Sequence, residues 1–357
     1  MKKKEDNRQQ QGRNLPGACS LMTLTSKGGK CYWFRTCDIS FDLRKEGAHR
    51  VEVVKGQELE WEEGQKSKSN FSFQGVSYQQ KNTWLLDGVN EEGLCGGLLM
   101  LKEGRGSQKE EKKENRVMAM EAVAWFLSRC SSVKEVIVQA EKIEITDIFY
   151  ENQYLPATVH YHFCDCWGAE VILEPVIKEA PGKLKVILGK DTLGIMTNSP
   201  VYEKQKENLS WFLSHSWELN SKKEKKNTEI FLDGKRVEAK EEGDHLSLTG
   251  CFPGSFASYD RFIRLAVLKS LNHSGNLWED EEIIWRGIGI MNTVREPENQ
   301  GKFHYSYLEE RKQGEIVAIG RENSKTEYLV IYDLWEKKCY LQWFDEMQWT
   351  CYTLGKH

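Results

Sequence analysis

The sequence predicts an α+β fold in a single domain. Strand-like segments come in groups, with helical segments in pairs between them rather than alternating one for one. No Pro/Gly-rich linker is long enough to divide the 357 residues, and no internal repeat is visible. A chain of this length buries enough surface to need no disulfide or metal staple.

Residues 1–18 are polar and rich in Lys, Gln and Asn, and they read as a disordered leader. The leader starts with basic residues but lacks the apolar stretch of an export signal. Order is expected to begin at Cys19. Cys19–Thr25 and Cys31–Asp38 read as two strands joined by Ser26-Lys27-Gly28-Gly29-Lys30, where the glycine pair suits a hairpin turn. Trp84–Met100 reads as strand, polar turn and strand. Lys102–Arg116 is charged and reads as a surface loop. A buried helix is expected over Val117–Cys130. A second opens at Ser132-Val133-Lys134-Glu135, a capping box, and repeats Val133, Val136, Ile137 and Ala140 on one face.

Strands return from Ala157 to Leu188, with turns at Trp167-Gly168 and Ala180-Pro181-Gly182. Glu203–Trp217 reads as a helix, followed by a polar loop through Lys222–Glu229. Arg261–Leu271 and Glu279–Met291 read as helices. Tyr328–Asp333 and Cys339–Phe344 read as a closing hairpin around Glu336-Lys337-Lys338.

Lys and Arg number 50 against 54 Asp and Glu, so no broad cationic footprint for nucleic acid exists. No apolar run approaches the roughly 20 residues that span a bilayer. Ten cysteines with no framework spacing, and no export signal, point to reduced thiols and a cytoplasmic protein.

The strongest metal-like pattern is His160-Tyr161-His162-Phe163-Cys164-Asp165-Cys166. Its alternating His and Cys residues would share one face of a strand. Same-face neighbours are about 6.6 Å apart, so the four span about 20 Å. Ligand bonds of about 2.0–2.3 Å cannot gather them around one zinc, and the structural reading is preferred. Cys164-Asp165-Cys166 also lacks the C-x-x-C spacing of a redox pair. Gly287-Ile288-Gly289 lacks the third glycine of a dinucleotide loop and lies within a helical pattern. The acidic runs Glu58–Glu63 and Glu279–Glu282 read as solvated faces or helix starts. No G-x-S-x-G elbow is present.

Cys19 stands apart. It follows two small residues at the start of order, and the hairpin brings the strand carrying Arg35 and Asp38 back towards it. A nearby guanidinium lowers a thiol pKa. If the leader is removed, Cys19 also gains an α-amine whose ordinary pKa of about 7.7–8.0 suits a general base. Taken alone, a cysteine at a strand start is more often a core residue than a nucleophile.

Cys19-Ser20 followed by Phe34-Arg35-Thr36-Cys37-Asp38 resembles the opening of the choloylglycine hydrolase family. That family contains conjugated bile salt hydrolases and penicillin V acylases, which are N-terminal-nucleophile enzymes. Further blocks follow in the family order: Asp87-Gly88-Val89-Asn90-Glu91-Glu92-Gly93-Leu94, Thr197-Asn198-Ser199-Pro200, Pro253-Gly254-Ser255-Phe256 and Arg261-Phe262-Ile263-Arg264.

The resemblance implies a four-layer αββα sandwich over residues 19–357 that cleaves linear, non-peptide amides. It implies Cys19 as nucleophile, Arg35 and Asp38 as orienting groups, and Asn198 as a side-chain oxyanion donor. A backbone N–H of Leu99 or Met100 is the second donor, and Arg261 supplies positive charge beside the amine or the oxyanion. Read alone, Asn198 also fits a helix N-cap and Arg261 an exposed helix start.

No metal or organic cofactor is implied. The partner is a small N-acyl amide, with conjugated bile salts ahead of penicillin V. An unprocessed member that only binds an acyl ligand is the reading from another class. The segment Trp217–Pro253 lies where relatives carry an assembly element, which implies a homotetramer. The chain departs from the family twice. Cys95-Gly96-Gly97-Leu98-Leu99-Met100 has neither the Asn of bile salt hydrolases nor the Tyr of penicillin V acylases, and Ser255 replaces the Asp of P-G-D-F.

Overall fold

The computed structural model describes residues 19–62, 64–107, 115–150, 153–155, 158–218, 230–232, 235–237, 252–273, 278–297, 309–310, 316–317 and 325–355. The leader, Cys251 and most of Trp217–Pro253 lie outside the described residues.

Two antiparallel sheets form the centre. Their strands, numbered along the chain, are β1 (Ser20–Thr25), β2 (Cys31–Ile39), β3 (His49–Val53), β4 (Phe73–Ser77), β5 (Leu85–Asn90), β6 (Cys95–Met100), β7 (Val159–Cys164), β8 (Glu170–Glu174), β9 (Lys185–Leu188), β10 (Ile195–Met196), β11 (Lys325–Asp333), β12 (Lys338–Trp343) and β13 (Thr350–Thr353). One sheet has the order β10-β1-β2-β11-β12-β13, the other β9-β8-β7-β6-β5-β4-β3. The expected hairpins β1–β2, β5–β6 and β11–β12 are all present.

Strand β2 is buried along its whole length, because the opposite sheet covers one face and helices cover the other. Trp33 reaches the opposite sheet, where its indole N–H donates to His162 Nδ1 at 3.1 Å. A Cβ placed on Gly97 of β6 would lie 2.7 Å from the Trp33 ring, so the absence of a side chain there lets the sheets approach. The even-numbered Phe34 faces the helical layer, where its ring packs against Gly287. This close packing accounts for one of the two glycines in Gly287-Ile288-Gly289.

Helices α1 (Ala122–Leu127) and α2 (Val133–Ala140) pack on the outer face of the second sheet. Helices α4 (Ser258–His273) and α5 (Asp280–Asn292) cover the first, and α3 (Tyr202–Glu218) packs on α4. The layers therefore run helix, sheet, sheet, helix, as expected. Ser132 caps α2 by accepting the Glu135 N–H, while Glu135 reaches back to the Ser131 N–H. Glu279 and Glu282 form a capping box on α5, so that acidic run is a helix start.

One element differs. Val117–Cys130 is not a single helix: Arg116–Met118 pairs in parallel with Glu144–Thr146, and only Ala122–Leu127 is α-helical. An apolar run of this length is compatible with strand or helix. Pairing with a segment some thirty residues onward, aided by the Ala119 N–H to Thr146 carbonyl bond, decides the matter.

Candidate active site

Cys19 precedes β1 and is 3% exposed. The β1–β2 register sets Leu21 opposite Arg35 and Ser20 opposite Thr36, so the Arg35 side chain shares a face with Cys19. Its guanidinium bridges the two sheets. Arg35 Nη1 donates to Asp87 Oδ2 and to the Leu86 carbonyl, both at 2.6 Å. Arg35 Nη2 points the other way, 3.5 Å from Cys19 Sγ and 3.8 Å from Cys37 Sγ. Tyr328 and Tyr332 of β11 both donate their hydroxyls to Asp87, which thus receives three hydrogen bonds in a site closed to solvent.

These contacts favour the thiolate. A hydrogen bond from the Cys37 thiol, the Arg35 charge and the Asp38 backbone N–H together outweigh burial and bring the Cys19 pKa down to about 5. The Cys37 thiol moves the opposite way, pushed up by burial and by its bond to Cys19. The Asp38 carboxyl accepts from Thr36 and Thr326, and burial raises it well above the usual carboxylate range.

Arg261 enters from the first turn of α4 and is 1% exposed, so it is not a solvated helix start. Its Nη1 donates to the Cys19 carbonyl at 2.7 Å and to Ser20 Oγ at 2.5 Å. Its Nη2 donates to Asn198 Oδ1 at 2.9 Å, while Asn198 Nδ2 donates to the Met100 carbonyl at 3.0 Å. A flipped amide would set N–H against guanidinium and oxygen against carbonyl, so the orientation of Asn198 is determined. The segment carrying Asn198 is held by His160 Nε2 on the Thr197 carbonyl at 2.9 Å and by Gln205 Nε2 on the Asn198 carbonyl at 3.0 Å.

The register separates Leu99 from Met100. Leu101 donates its N–H to the Thr158 carbonyl, and Met100 lies opposite Val159. Antiparallel ladders alternate, so the Leu99 N–H faces β7 and the Met100 N–H faces away from it. On that side the pairing with β5 ends at Asp87 opposite Gly97. Cys19, Arg35 and Cys37 share the wall of a small apolar cavity of about 40 Å³ with Phe41, Leu43, Tyr78, Leu86, Leu98 and Met100.

Cys19, Arg35, Asp38, Asn198, Arg261 and the Met100 backbone therefore meet at one place. Asp87, Tyr328 and Tyr332 had no assigned role in the sequence, although Asp87 opens a motif block. His160 and His162 each use both ring nitrogens on protein partners, Glu174 with Thr197 and Trp33 with Glu170. Among the described residues, no group of three or more His, Cys, Asp or Glu side chains is placed to hold a metal.

Residues 19–357 match the family described as linear amide C–N hydrolases, choloylglycine hydrolase family. The chain belongs to this family. It is thus a hydrolase of linear, non-peptide amide bonds. A bile salt hydrolase/transferase of Lactiplantibacillus plantarum is 28% identical over 270 residues, covering 70% of this chain and 77% of that protein. One of Clostridium perfringens is 28% identical over 184 residues, so the match spans only 51% of each chain. Among solved structures, a mutant conjugated bile acid hydrolase of Clostridium perfringens superimposes with a TM-score of 0.68 at 20% identity, over 95% of this chain and 93% of that one. The penicillin V acylase of Agrobacterium tumefaciens gives 0.67 at 17% identity, over 95% and 87%. These choloylglycine hydrolase relatives share the αββα sandwich. No helix among the described residues is long and apolar enough to cross a membrane.

Proposed function

We propose that this choloylglycine hydrolase family member cleaves N-acyl amides through Cys19, acting as an N-terminal nucleophile after residues 1–18 are removed. The observation that carries the reading is the Cys19 thiol, held low in pKa between Arg35 and Cys37 on the wall of an apolar cavity. Cys19 Sγ attacks the amide carbonyl carbon, and the Cys19 α-amine exposed by processing relays a proton to the leaving nitrogen. The oxyanion is received by Asn198 Nδ2, which keeps one N–H beyond its bond to Met100, and by the Met100 backbone N–H. The amine departs, leaving a thioester on Cys19. Water activated by the same α-amine then releases the free acid. Arg35 and Asp38 orient the nucleophile, and Arg261 orients Asn198. All these groups are protein groups, so the mechanism requires no cofactor.

The apolar lining beside Cys19 supports an apolar acyl group, and we place conjugated bile salts ahead of penicillin V as the substrate class. The enzyme would work in the cytoplasm, where Cys19 stays reduced, and as a homotetramer.

The test is the intact mass of the purified protein before and after native iodoacetamide treatment, followed by assays on glycocholate, taurocholate and penicillin V. A mass starting at Cys19, one fast-alkylating thiol and release of glycine or taurine are expected. Release of phenoxyacetate alone would replace bile salts with penicillin V. A full-length mass with an unreactive Cys19 would overturn the mechanism in favour of an acyl-binding protein.

A further inference from the structure

The nucleophile has a second thiol directly across the hairpin. Ser20 stands opposite Thr36, so one further step of the β1–β2 register sets Cys19 opposite Cys37. The Ser26 N–H bonds to the Lys30 carbonyl, which fixes the alternation along the ladder. Counting from there, Ser20/Thr36 is a hydrogen-bonded pair and Cys19/Cys37 falls on a non-bonded one. Paired Cα atoms at such sites approach to about 4.5 Å. A disulfide accepts Cα separations of about 4.4–6.8 Å, a range that includes the spacing usual at such a pair. The two thiols are hydrogen-bonded to each other, share Arg35 Nη2, and open onto the same cavity.

We propose that Cys37 is a resolving thiol that captures an oxidised Cys19 as a reversible Cys19–Cys37 disulfide. The inference rests on Cys19 being the reactive thiol. The oxidant is a peroxide small enough to enter the cavity. Cys19 thiolate attacks one peroxide oxygen: an S–O bond forms, the O–O bond breaks, and hydroxide leaves. Cys37 sulfur then attacks Cys19 sulfur: an S–S bond forms and the S–O bond breaks. The departing hydroxyl takes the Cys37 proton and leaves as water. The two thiols lose two electrons and the peroxide gains them. A low-molecular-weight dithiol reverses the step by exchange, returning both thiols. Without a resolving thiol, the sulfenic acid proceeds to sulfinic acid, which thiols do not reduce.

A second close pair makes the test specific. Cys31 and Cys164 have sulfur atoms 3.4 Å apart, but they are buried between the sheets and do not line the cavity. Trypsin cuts after Lys27, Lys30 and Arg35, which puts Cys19, Cys31 and Cys37 on separate peptides.

The purified mature enzyme is treated with a small excess of hydrogen peroxide, quenched with N-ethylmaleimide and mapped without reduction. The expected result is a mass loss of about 2 Da, a Cys19–Cys37 linked peptide, and recovery of Cys19 alkylation after dithiothreitol. Cys37→Ser, with Cys37→Ala as a second variant, should instead gain about 32 Da at Cys19 and fail to recover. The readout is mass, so it holds whatever the turnover of the variants. Sulfinic acid at Cys19 with Cys37 free in the wild type overturns the inference and leaves the nucleophile standing. A Cys31–Cys164 link alone does the same. A Cys19 that neither alkylates nor oxidises overturns the proposed function as well.

Discussion

Arg35 Nη1 lies 2.6 Å from Asp87 Oδ2, with the two side chains 1% and 0% exposed. The pair joins the sheets and aims the remaining guanidinium nitrogen at the Cys19 thiol. Asp87→Asn keeps the shape but leaves the Arg35 charge without its partner. Removing one member of a buried pair costs on the order of 3–5 kcal/mol. Denaturant unfolding should show that loss, and the acid limb of Cys19 alkylation should move to lower pH as Arg35 relies more on the thiolate. A loss under about 1 kcal/mol would show that the pair does not hold the sheets.

The Cys19 pKa of about 5 sets a pH dependence. Below it the sulfur is protonated and unreactive, and above it the thiolate persists. Alkylation of Cys19 should rise through pH 5 and be flat by neutrality, where an ordinary thiol is still mostly protonated. The Cys37 hydrogen bond is the largest favourable contribution, so Cys37→Ala should shift the limb upward. Stopped-flow alkylation across pH 4–9 measures both; an unshifted limb in Cys37→Ala would refute that assignment.

Asn198 and Arg261 should behave as one unit. Asn198→Ala should lower kcat by about 10²–10³-fold, the usual loss for one oxyanion donor. Arg261→Met should give a similar loss, because it frees the Asn198 amide to rotate. The double variant should be little worse than either single one. Multiplicative losses in the steady-state kcat of the three variants would mean that Arg261 acts elsewhere.

Gly97→Ala should cost about 1–3 kcal/mol, because its Cβ meets the Trp33 ring at 2.7 Å in the middle of the sandwich. The Trp33–His162 hydrogen bond opposes any withdrawal of the ring. Thermal unfolding measures the loss, and an unchanged Tm would show that the sheets separate easily there.

Local order was legible in the sequence because its causes are local. Hairpins β1–β2 and β11–β12 follow from apolar, strand-forming segments around short turns. The starts of α2 and α5 follow from Ser132 and from Glu279 with Glu282. The family blocks, met in order, named Cys19, Arg35, Asp38, Asn198 and Arg261 before any of them had a neighbour. The apolar run at Val117–Cys130 misled, because its pairing with Glu144–Thr146 is set from outside the run.

Only the tertiary structure decided which buried groups meet. Asp87 faces Arg35 across 52 positions and Tyr328 across 241, and no periodicity reports a contact between sheets. That the Met100 N–H, and not the Leu99 N–H, points away from β7 depends on the β6–β7 register, in which a shift of one residue reverses the direction of every N–H. The chain therefore determines by itself its layers and its reactive residue types. Their mutual orientation, and with it the low pKa of Cys19, comes from packing two sheets closely enough for one guanidinium to touch both.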